Sequence, residues 1–350
     1  MTDALTLRRP DDWHVHLRDD VALAAVAHFT ARQFRRAIVM PNLKPPVTTA
    51  GLAAAYRQRI LDALPPGTDF EPLMTLYLTD ATSPQLVDDA ARSGIVAGLK
   101  LYPAGATTHS DAGVTDLRRI DAALARMAQV GLVLQVHGEV THEDVDVFER
   151  EARFIDDVLA PLVERHRGLR VVFEHITTAR AVEFVRSARD GVAATITPQH
   201  LLCNRNAIFR GGIRPHYFCL PVLKTEPDRR ALLEAATSGN PRFFLGTDSA
   251  PHARDAKEAA CGCAGMFSAH AALELYAEAF DEAGALARLE GFASEAGADF
   301  YRLPRNAGRV TLLRQPWNPP ASYEFGAGRL VPMRAGEPLR WRLAAPPEAP

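Results

Sequence analysis

Lysine, cysteine and long apolar runs are the scarce features of this 350-residue chain. Four of its 40 basic residues are lysines, so arginine is the default cation and each lysine calls for a reason. The longest apolar stretches, such as residues 21–27, are too short to span a bilayer, and residues 1–10 lack the apolar core of a signal peptide. A net charge of −2 and a pI near 6.6 give no sign of a nucleic-acid or membrane partner. We therefore expect a cytoplasmic protein.

The few cysteines do not indicate a disulfide framework. Cys203, Cys219, Cys261 and Cys263 are most simply free thiols of a reducing compartment. The Cys261-Gly-Cys263 motif suggests zinc, but no second Cys or His pair has the spacing of a structural zinc site. The sequence therefore favours free thiols over a structural zinc site.

Short apolar strands alternate with helical patterns along most of the chain. The strands are predicted within residues 11–19, 36–41, 71–78, 95–102, 132–137, 169–176, 192–197 and 242–247. Helical patterns between and after them include residues 143–167 and 286–301. Eight such units predict an α/β fold of the closed (β/α)8 TIM-barrel type. An open doubly wound sheet is the alternative, which is disfavoured because no Gly-x-Gly-x-x-Gly follows the first strand.

The chain is predicted to form a single domain over residues 1–350. Residues 314–350 are rich in proline and lack periodicity. We expect them to form an extended C-terminal arm that packs on the barrel, with a disordered end as the alternative for the last ten residues.

Polar side chains fall near the carboxyl ends of the predicted strands, where barrels of this type hold their active sites. His14 and His16 alternate on the first strand and so share a face, with Cα atoms roughly 6.5–7 Å apart. Other candidates at this rim are Asn42, Lys100, His137, His175, Asp248 and His252. Each has an ordinary explanation when taken singly. Together, their nitrogen and carboxylate groups predict a metal centre suited to Zn²⁺.

Lys100 is the unusual member of this group. A protonated lysine is repelled by a dication and has no lone pair to donate. Carboxylation by CO₂ would turn its amine into a carbamate (N6-carboxylysine), an anionic group that can bridge two metals. Arginine could not replace it, which explains a lysine in an arginine-dominated chain.

Four stretches of the sequence resemble the dihydroorotase family of the metal-dependent amidohydrolase superfamily, in its short bacterial homodimeric type. They are residues 12–19, 40–43, 98–103 and 246–252, and the resemblance runs over nearly the whole chain. Residues 1–10 are too few to build the flanking β-sandwich domain of many superfamily members. The resemblance implies a homodimer that reversibly cyclises N-carbamoyl-L-aspartate to L-dihydroorotate, the third step of pyrimidine synthesis.

The same resemblance implies a binuclear zinc centre. Two Zn²⁺ per subunit would be bridged by a hydroxide and by carboxylated Lys100. The buried zinc would be bound by His14, His16 and Asp248, and the more exposed zinc by His137 and His175. Asp248 would also be the catalytic general base and then the general acid.

The resemblance further implies the contacts of the small-molecule substrate. Arg18 would hold the unreactive carboxylate in a two-pronged ion pair, and Asn42 and His252 would complete that pocket. Backbone groups of Leu220 and Ala264 would contact the edge of the pyrimidine ring. The loop 104–113 would fold over the substrate through the hydroxyls of Thr107 and Thr108.

Three other functions remain open at this point. Another cyclic amidohydrolase, such as an allantoinase or a hydantoinase, would share the metal ligands but not the need for Arg18 and Asn42. A mononuclear, deaminase-like site would not need Lys100. An inactive dihydroorotase-like scaffold should have lost metal ligands, whereas all six are present in this sequence.

Overall fold

A computed structural model describes residues 3–345 of the chain. The strands are β1 Ala4–Arg8, β2 Asp11–Val15, β3 Arg36–Val39, β4 Glu71–Tyr77, β5 Val96–Leu101, β6 Val133–Val136, β7 Arg170–Phe173, β8 Val192–Ile196, β9 Phe243–Leu245, β10 Arg309–Leu313, β11 Tyr323–Phe325, β12 Gly328–Leu330 and β13 Arg342–Leu343. The helices are α1 Asp20–Ala31, α2 Ala50–Asp62, α3 Pro84–Arg92, α4 Asp121–Val130, α5 Arg150–Phe154, α6 Ala160–Arg165, α7 Ala179–Ser187, α8 Pro198–Leu202, α9 Glu226–Thr237, α10 Arg254–Lys257, α11 Ala272–Glu282 and α12 Ala296–Tyr301. Among these helices none is long and apolar enough to cross a membrane.

Strands β2 to β9 form one parallel sheet in sequence order. The sheet closes at the carboxyl ends of its first and last strands, where Asp248 N donates to His14 O at 2.8 Å and His16 N donates to Ser249 O at 3.0 Å. Val15 and Ser249 form a parallel bridge at the same place. The predicted (β/α)8 barrel is confirmed, and the seam between its first and last strands lies at the rim that carries the candidate ligands.

The strands divide their apolar side chains between two cores. Val133 on β6 and Val172 on β7 belong to a cluster inside the barrel, whereas their neighbours Leu134 and Val171 pack outward in a second cluster with the surrounding helices. This alternation is the period of two that a strand imposes on its side chains. Buried on both faces, the strands therefore read as continuous apolar runs in the sequence.

Helix α12 closes the bottom of the barrel. Tyr301 on this helix stacks on Trp13 of β2, with ring centroids 4.7 Å apart and planes inclined by 3°. Phe244 of β9 packs edge-on against the same indole at 6.2 Å. Trp13 directly precedes His14, the first candidate ligand, and is thus fixed by aromatic packing beneath the site.

One of the predicted helices is wrong in its extent. Residues 143–149 are not helical, and α5 begins at Arg150. The side chain of Asp146 accepts a hydrogen bond from Phe148 N at 2.8 Å, and such short side chains stabilise turns in competition with the helix. The predicted helix over 286–301 is helical throughout, but its type changes along its length, with a 3₁₀ turn at Leu286–Arg288, a π-helical segment at Gly291–Glu295 and α12 at its end.

A three-stranded antiparallel sheet joins the two ends of the described chain. Strand β1 pairs with β10, and β10 pairs with β13. The sequence pattern does not predict the strand at residues 4–8. After Leu313 the chain also forms the β11–β12 hairpin and buries Trp341 completely. The one-domain division and the arm over 314–350 stay predictions, and residues 346–350 of that arm lie outside the described residues.

We expect Gly297→Ala to destabilise the floor of the barrel, that is, the packing of α12 against Trp13 at its bottom. A Cβ at this position in α12 would lie 2.0 Å from Trp13 Nε1, and that indole cannot move freely because Tyr301 stacks on it. Overpacking of this kind costs about 1–3 kcal/mol, which should lower the melting temperature in a thermal unfolding scan.

The matched control is Gly51→Ala in α2, where a Cβ would meet nothing within 4 Å. This change should leave stability unaltered or raise it by up to about 1 kcal/mol. Equal melting temperatures for the two variants would contradict the packing described for the floor.

Candidate metal centre

Three side chains converge where the barrel closes. His14 lies on β2, His16 follows that strand, and Asp248 follows β9. The two histidine Nε2 atoms are 3.4 Å apart, and Asp248 Oδ1 lies 3.3 Å from that of His14 and 3.1 Å from that of His16. Because the seam pairs the backbones of these two strands, it also fixes the spacing of the three ligand atoms.

Hydrogen bonds on the far side of each ring set the tautomers of the two histidines. His14 Nδ1 donates to Glu174 Oε2 at 2.8 Å, and His16 Nδ1 donates to Asn42 Oδ1 at 2.9 Å. Each Nε2 therefore presents a lone pair to the centre. Burial lowers the pKa of His14 to about 4 and that of His16 well below its usual value, so both rings are neutral.

The centre thus holds two imidazole lone pairs and a carboxylate oxygen that face one another. Burial raises the pKa of Asp248, and the neighbouring His14 and Lys100 act in the opposite direction. Three acceptors of this kind, all within 4.8 Å of one another, fit a bound cation because nitrogen and carboxylate ligands suit a divalent metal such as zinc.

His175 and His137 extend this row of imidazoles. The ring centroid of His175 lies 5.0 Å from that of His14 and 4.9 Å from that of His137. His137 Nε2 contacts Glu139 Oε2 at 2.9 Å, while His175 Nδ1 has no hydrogen-bond partner among residues 3–345. Burial holds the pKa of His175 well below its usual value, and the nearby Lys100 adds to this effect. A neutral imidazole with a free nitrogen can bind a metal.

Lys100 lies in the same interior on β5. Its side chain is fully buried, and in the described part of the chain its Nζ atom has no hydrogen-bond partner. Burial lowers the pKa of this amine to about 8, although Glu174 and Asp248 oppose the change. An unpartnered polar group in such a place is costly. The position therefore fits a lysine whose amine carries a carbamate, because the oxygens of that group could bind a metal.

Arg18 and His252 form a second, more open part of the site. Arg18 Nε donates to Pro251 O at 3.0 Å, and its Nη2 donates to His252 Nε2 at 2.8 Å. His252 also forms a hydrogen bond with the backbone of Ala264. Burial, followed by the charge of Arg18, lowers the pKa of His252 to about 2, so its ring is neutral and accepts from the guanidinium. Arg18 is thereby held in one orientation, and its remaining N–H groups can donate to a ligand.

The loop 104–113 lies against this part of the site. Asn42 Nδ2 donates to Thr108 O at 3.1 Å, and Thr108 Oγ1 lies 3.5 Å from Ala264 O. Thr107 forms an internal turn in which its backbone N donates to Ser110 Oγ at 2.9 Å. Asn42 therefore connects the candidate ligand His16 to the loop, through contacts that the sequence did not predict.

Several site residues adopt left-handed backbone conformations. The φ angles are 59° at Arg18, 41° at His175 and 44° at Asp248. Non-glycine residues rarely adopt such angles, which are costly unless the surrounding structure holds them. At His175 the backbone N donates to Thr195 Oγ1 at 2.7 Å, which stabilises this turn. The side chains are thus directed by backbone turns at the strand ends.

Glu174 is the main residue of the site that the sequence did not predict. It lies on the chain between Phe173 and His175, is fully buried, and accepts from both His14 Nδ1 and Thr195 Oγ1. A carboxylate in an otherwise apolar strand was the available signal.

Leu220 and Ala264 are half-buried on two segments that are joined by the hydrogen bond from Gly265 N to Phe218 O.

A (β/α)8 barrel with imidazole and carboxylate ligands at its carboxyl-end rim defines a metal-dependent hydrolase. The model of the Amidohydrolase family matches residues 12–312, which is most of the chain. The protein is thus an amidohydrolase.

More closely related proteins narrow the assignment. The dihydroorotase of Laribacter hongkongensis (strain HLHK9) is 68% identical over 341 residues, which cover 97% of this chain and 99% of that protein. The crystal structure of dihydroorotase from Campylobacter jejuni is 35% identical, with a TM-score of 0.90 over 99% of this chain and 98% of that chain. Dihydroorotase from Saccharomyces cerevisiae in complex with 5-fluoroorotic acid is 31% identical, with a TM-score of 0.91 over 99% and 100% of the two chains. The chain belongs to the dihydroorotase family, rather than to the allantoinase or hydantoinase alternative.

We expect Glu174→Ala to weaken metal binding by about 10- to 100-fold, as is typical when the partner of a ligating histidine is removed. The change leaves His14 Nδ1 without its acceptor. Glu174→Gln should have a smaller effect because an amide oxygen can still accept that hydrogen bond. Metal content after dialysis against graded chelator concentrations measures the difference.

Glu151→Gln is the matched control, since Glu151 is also fully buried but binds the hydroxyls of Thr177 and Thr178. It should retain metal like the unmodified protein. Equal metal retention in Glu174→Ala and the control would contradict the role of Glu174.

Proposed function

We propose that the protein catalyses the reversible cyclisation of N-carbamoyl-L-aspartate to L-dihydroorotate, as a step of pyrimidine synthesis. The family assignment supports this reaction class. The observation that carries the proposal is the pairing of two sites at one rim. A cluster of buried acceptors suited to a metal lies beside a guanidinium, that of Arg18, which is held in place by His252.

The proposed cofactor is a pair of Zn²⁺ ions per subunit, with Lys100 carboxylated between them. His14, His16 and Asp248 would hold one ion, and His137 and His175 the other. The unpartnered Nζ of Lys100 and the lowered pKa of its amine support carboxylation, because the neutral amine is the form that reacts with CO₂. When bound, the ions would polarise the reacting carbonyl and lower the pKa of water.

Asp248 is the proposed proton carrier. In the hydrolytic direction its carboxylate would accept a proton from the attacking water as the new C–O bond forms. It would then give that proton to the ring nitrogen as the C–N bond breaks, so that the ureido group leaves neutral. Its buried carboxylate, whose pKa is raised by burial, suits a group that must both take and return a proton.

Arg18 is the proposed anchor of the carboxylate that does not react. Two parallel hydrogen bonds from a guanidinium fix both the position and the plane of a carboxylate. Asn42 and His252, with backbone groups of Leu220 and Ala264, would line the same pocket. The hydroxyls of Thr107 and Thr108 would contact the substrate from the loop 104–113 and exclude water.

We also propose that the protein acts as a cytoplasmic homodimer. All four cysteines are free, as is usual in a reducing compartment. Phe209 and Ile213 are 59% and 81% exposed on one loop, and exposed apolar side chains of this kind are suited to a subunit interface.

The substrate assignment predicts a dependence on Arg18. The metal-replete protein should turn over L-dihydroorotate, but should act poorly on hydantoin, allantoin and dihydrouracil, which lack the carboxylate. Arg18→Lys keeps the charge but loses the two-pronged geometry. A charged hydrogen bond contributes about 1.5–3 kcal/mol, so kcat/KM for dihydroorotate should fall roughly 10- to 100-fold.

Dihydrouracil is the internal control of this experiment, since its residual turnover should not change in Arg18→Lys. Metal content should also stay constant. A variant that loses metal but keeps its affinity for dihydroorotate would place Arg18 in the metal centre instead of the carboxylate pocket.

Lys100→Ala should abolish turnover and reduce bound zinc, because no carbamate can form. Small carboxylic acids such as propionate should restore part of the activity by entering the space that the side chain vacates. Lys100→Arg is the control, since it fills the space but cannot be carboxylated, and we expect no rescue. Full activity in Lys100→Ala, measured together with zinc content, would refute the carbamate.

A further inference from the structure

Lys257 is a buried lysine that the proposed reaction does not use. It ends the short helix α10, and 4% of its surface is exposed. Its Nζ atom donates to three backbone carbonyls, those of Phe218 at 2.7 Å, Cys263 at 2.9 Å and Gly265 at 2.7 Å. An ammonium group has three donors, so all of them are engaged.

The three carbonyls belong to the two segments that would contact the substrate ring. Ala264 lies between Cys263 and Gly265, and Leu220 lies two residues after Phe218. The segments also meet directly through Gly265 N and Phe218 O, 3.0 Å apart. The buried ammonium group of Lys257 therefore holds both segments of the proposed ring pocket in place through their backbone carbonyls.

The carbonyl contacts also determine where the neighbouring donor points. In a trans peptide the N–H of a residue points opposite to the carbonyl of the residue before it. Because Lys257 holds the Cys263 carbonyl, the N–H of Ala264 is directed away from the lysine. This N–H has no backbone acceptor among residues 3–345 and is available to a ligand.

A second chain of contacts connects the same segment to the carboxylate anchor. Gly265 packs so closely that a Cβ would lie 2.6 Å from Ala250 O and 3.0 Å from His252 Cδ2. His252 bonds to the backbone of Ala264 and accepts from Arg18 Nη2 at 2.8 Å. The orientation of Arg18 thus depends on the segment that Lys257 holds.

We propose that Lys257 is the positioning residue of the substrate pocket, which preforms the backbone donors and the orientation of Arg18 without touching the substrate. This inference rests on the proposed function. Arginine would replace it poorly, because a planar guanidinium cannot direct three donors at three carbonyls around one point.

The test is Lys257→Met in the full-length, metal-replete protein. We expect KM for dihydroorotate, and the inhibition constant of orotate as a carboxylated analogue, to rise about tenfold or more, because small displacements of positioning groups are costly. The value of kcat should stay within about threefold, as expected when binding shared by the ground and transition states is lost. Metal content should not change.

Lys224→Met is the matched control. Lys224 is also 4% exposed, but its Nζ donates to one carbonyl, that of Val222, only two residues away. This hydrogen bond stays within one segment and does not reach the two segments that Lys257 holds, so its removal should leave KM within about twofold. If Lys257→Met does not fold, Lys257→Gln, which keeps two N–H donors, should show a smaller rise in KM.

Three outcomes would overturn the inference: an unchanged KM and inhibition constant in a folded Lys257 variant, a parallel loss of metal, or an equal rise in KM in Lys224→Met. A failure of the proposed function looks different, since the unmodified protein itself would then not turn over dihydroorotate.

Discussion

The structure depends on the seam of the barrel, which holds three mutually repelling acceptor atoms close together. The lone pairs of His14 and His16 and the carboxylate of Asp248 face one another at 3.1–3.4 Å, and the N–H of each ring is already used by Glu174 or Asn42. Buried polar atoms in such an arrangement are unfavourable without a cation between them. The surrounding barrel holds the arrangement in place, because the backbones of the first and last strands pair there.

The same electrostatic rule is satisfied in a second way around Lys257. There too, three acceptor atoms converge on one point, in this case three backbone carbonyl oxygens, but the cation is part of the chain. The group formed by His14, His16 and Asp248 is suited to a cation taken from solution, whereas the carbonyls around Lys257 bind a cation that is covalently attached to the chain. In a chain with four lysines, the fully buried Lys100 and the nearly buried Lys257 both serve this region.

Much of this architecture could be predicted from the sequence because it follows from local periodicity. The strand alternation around His14 and His16, and the rule that barrel strands end at one rim, were enough to bring Asp248 and Lys100 to the same region. Glu174 was not assigned a role in this way, because it binds the Nδ1 side of the His14 ring rather than the side that faces Asp248. Lys257 binds backbone carbonyls, and such acceptors have no signature in a sequence.

The incorrect predictions have similar causes. The helical pattern over residues 143–149 is overridden by the side chain of one aspartate, Asp146, which stabilises a turn. Strand β1 was not recognised because a five-residue strand has little pattern of its own, and its partner β10 is some three hundred positions away. Contacts between distant segments decide both the ends of the chain and the finer arrangement of the site.

The position of the site on the barrel seam has a consequence for how the chain folds. His16 and Asp248 are 232 positions apart, so these two candidate ligands come together only when the last strand docks on the first. Contacts of such long range form slowly, because a large loop must be ordered before they contribute stability. An ion that binds the closed barrel and not the unfolded chain shifts the equilibrium between the unfolded and folded states toward the folded state as its free concentration rises. Metal binding at this position would therefore stabilise the closed barrel as well as support the reaction.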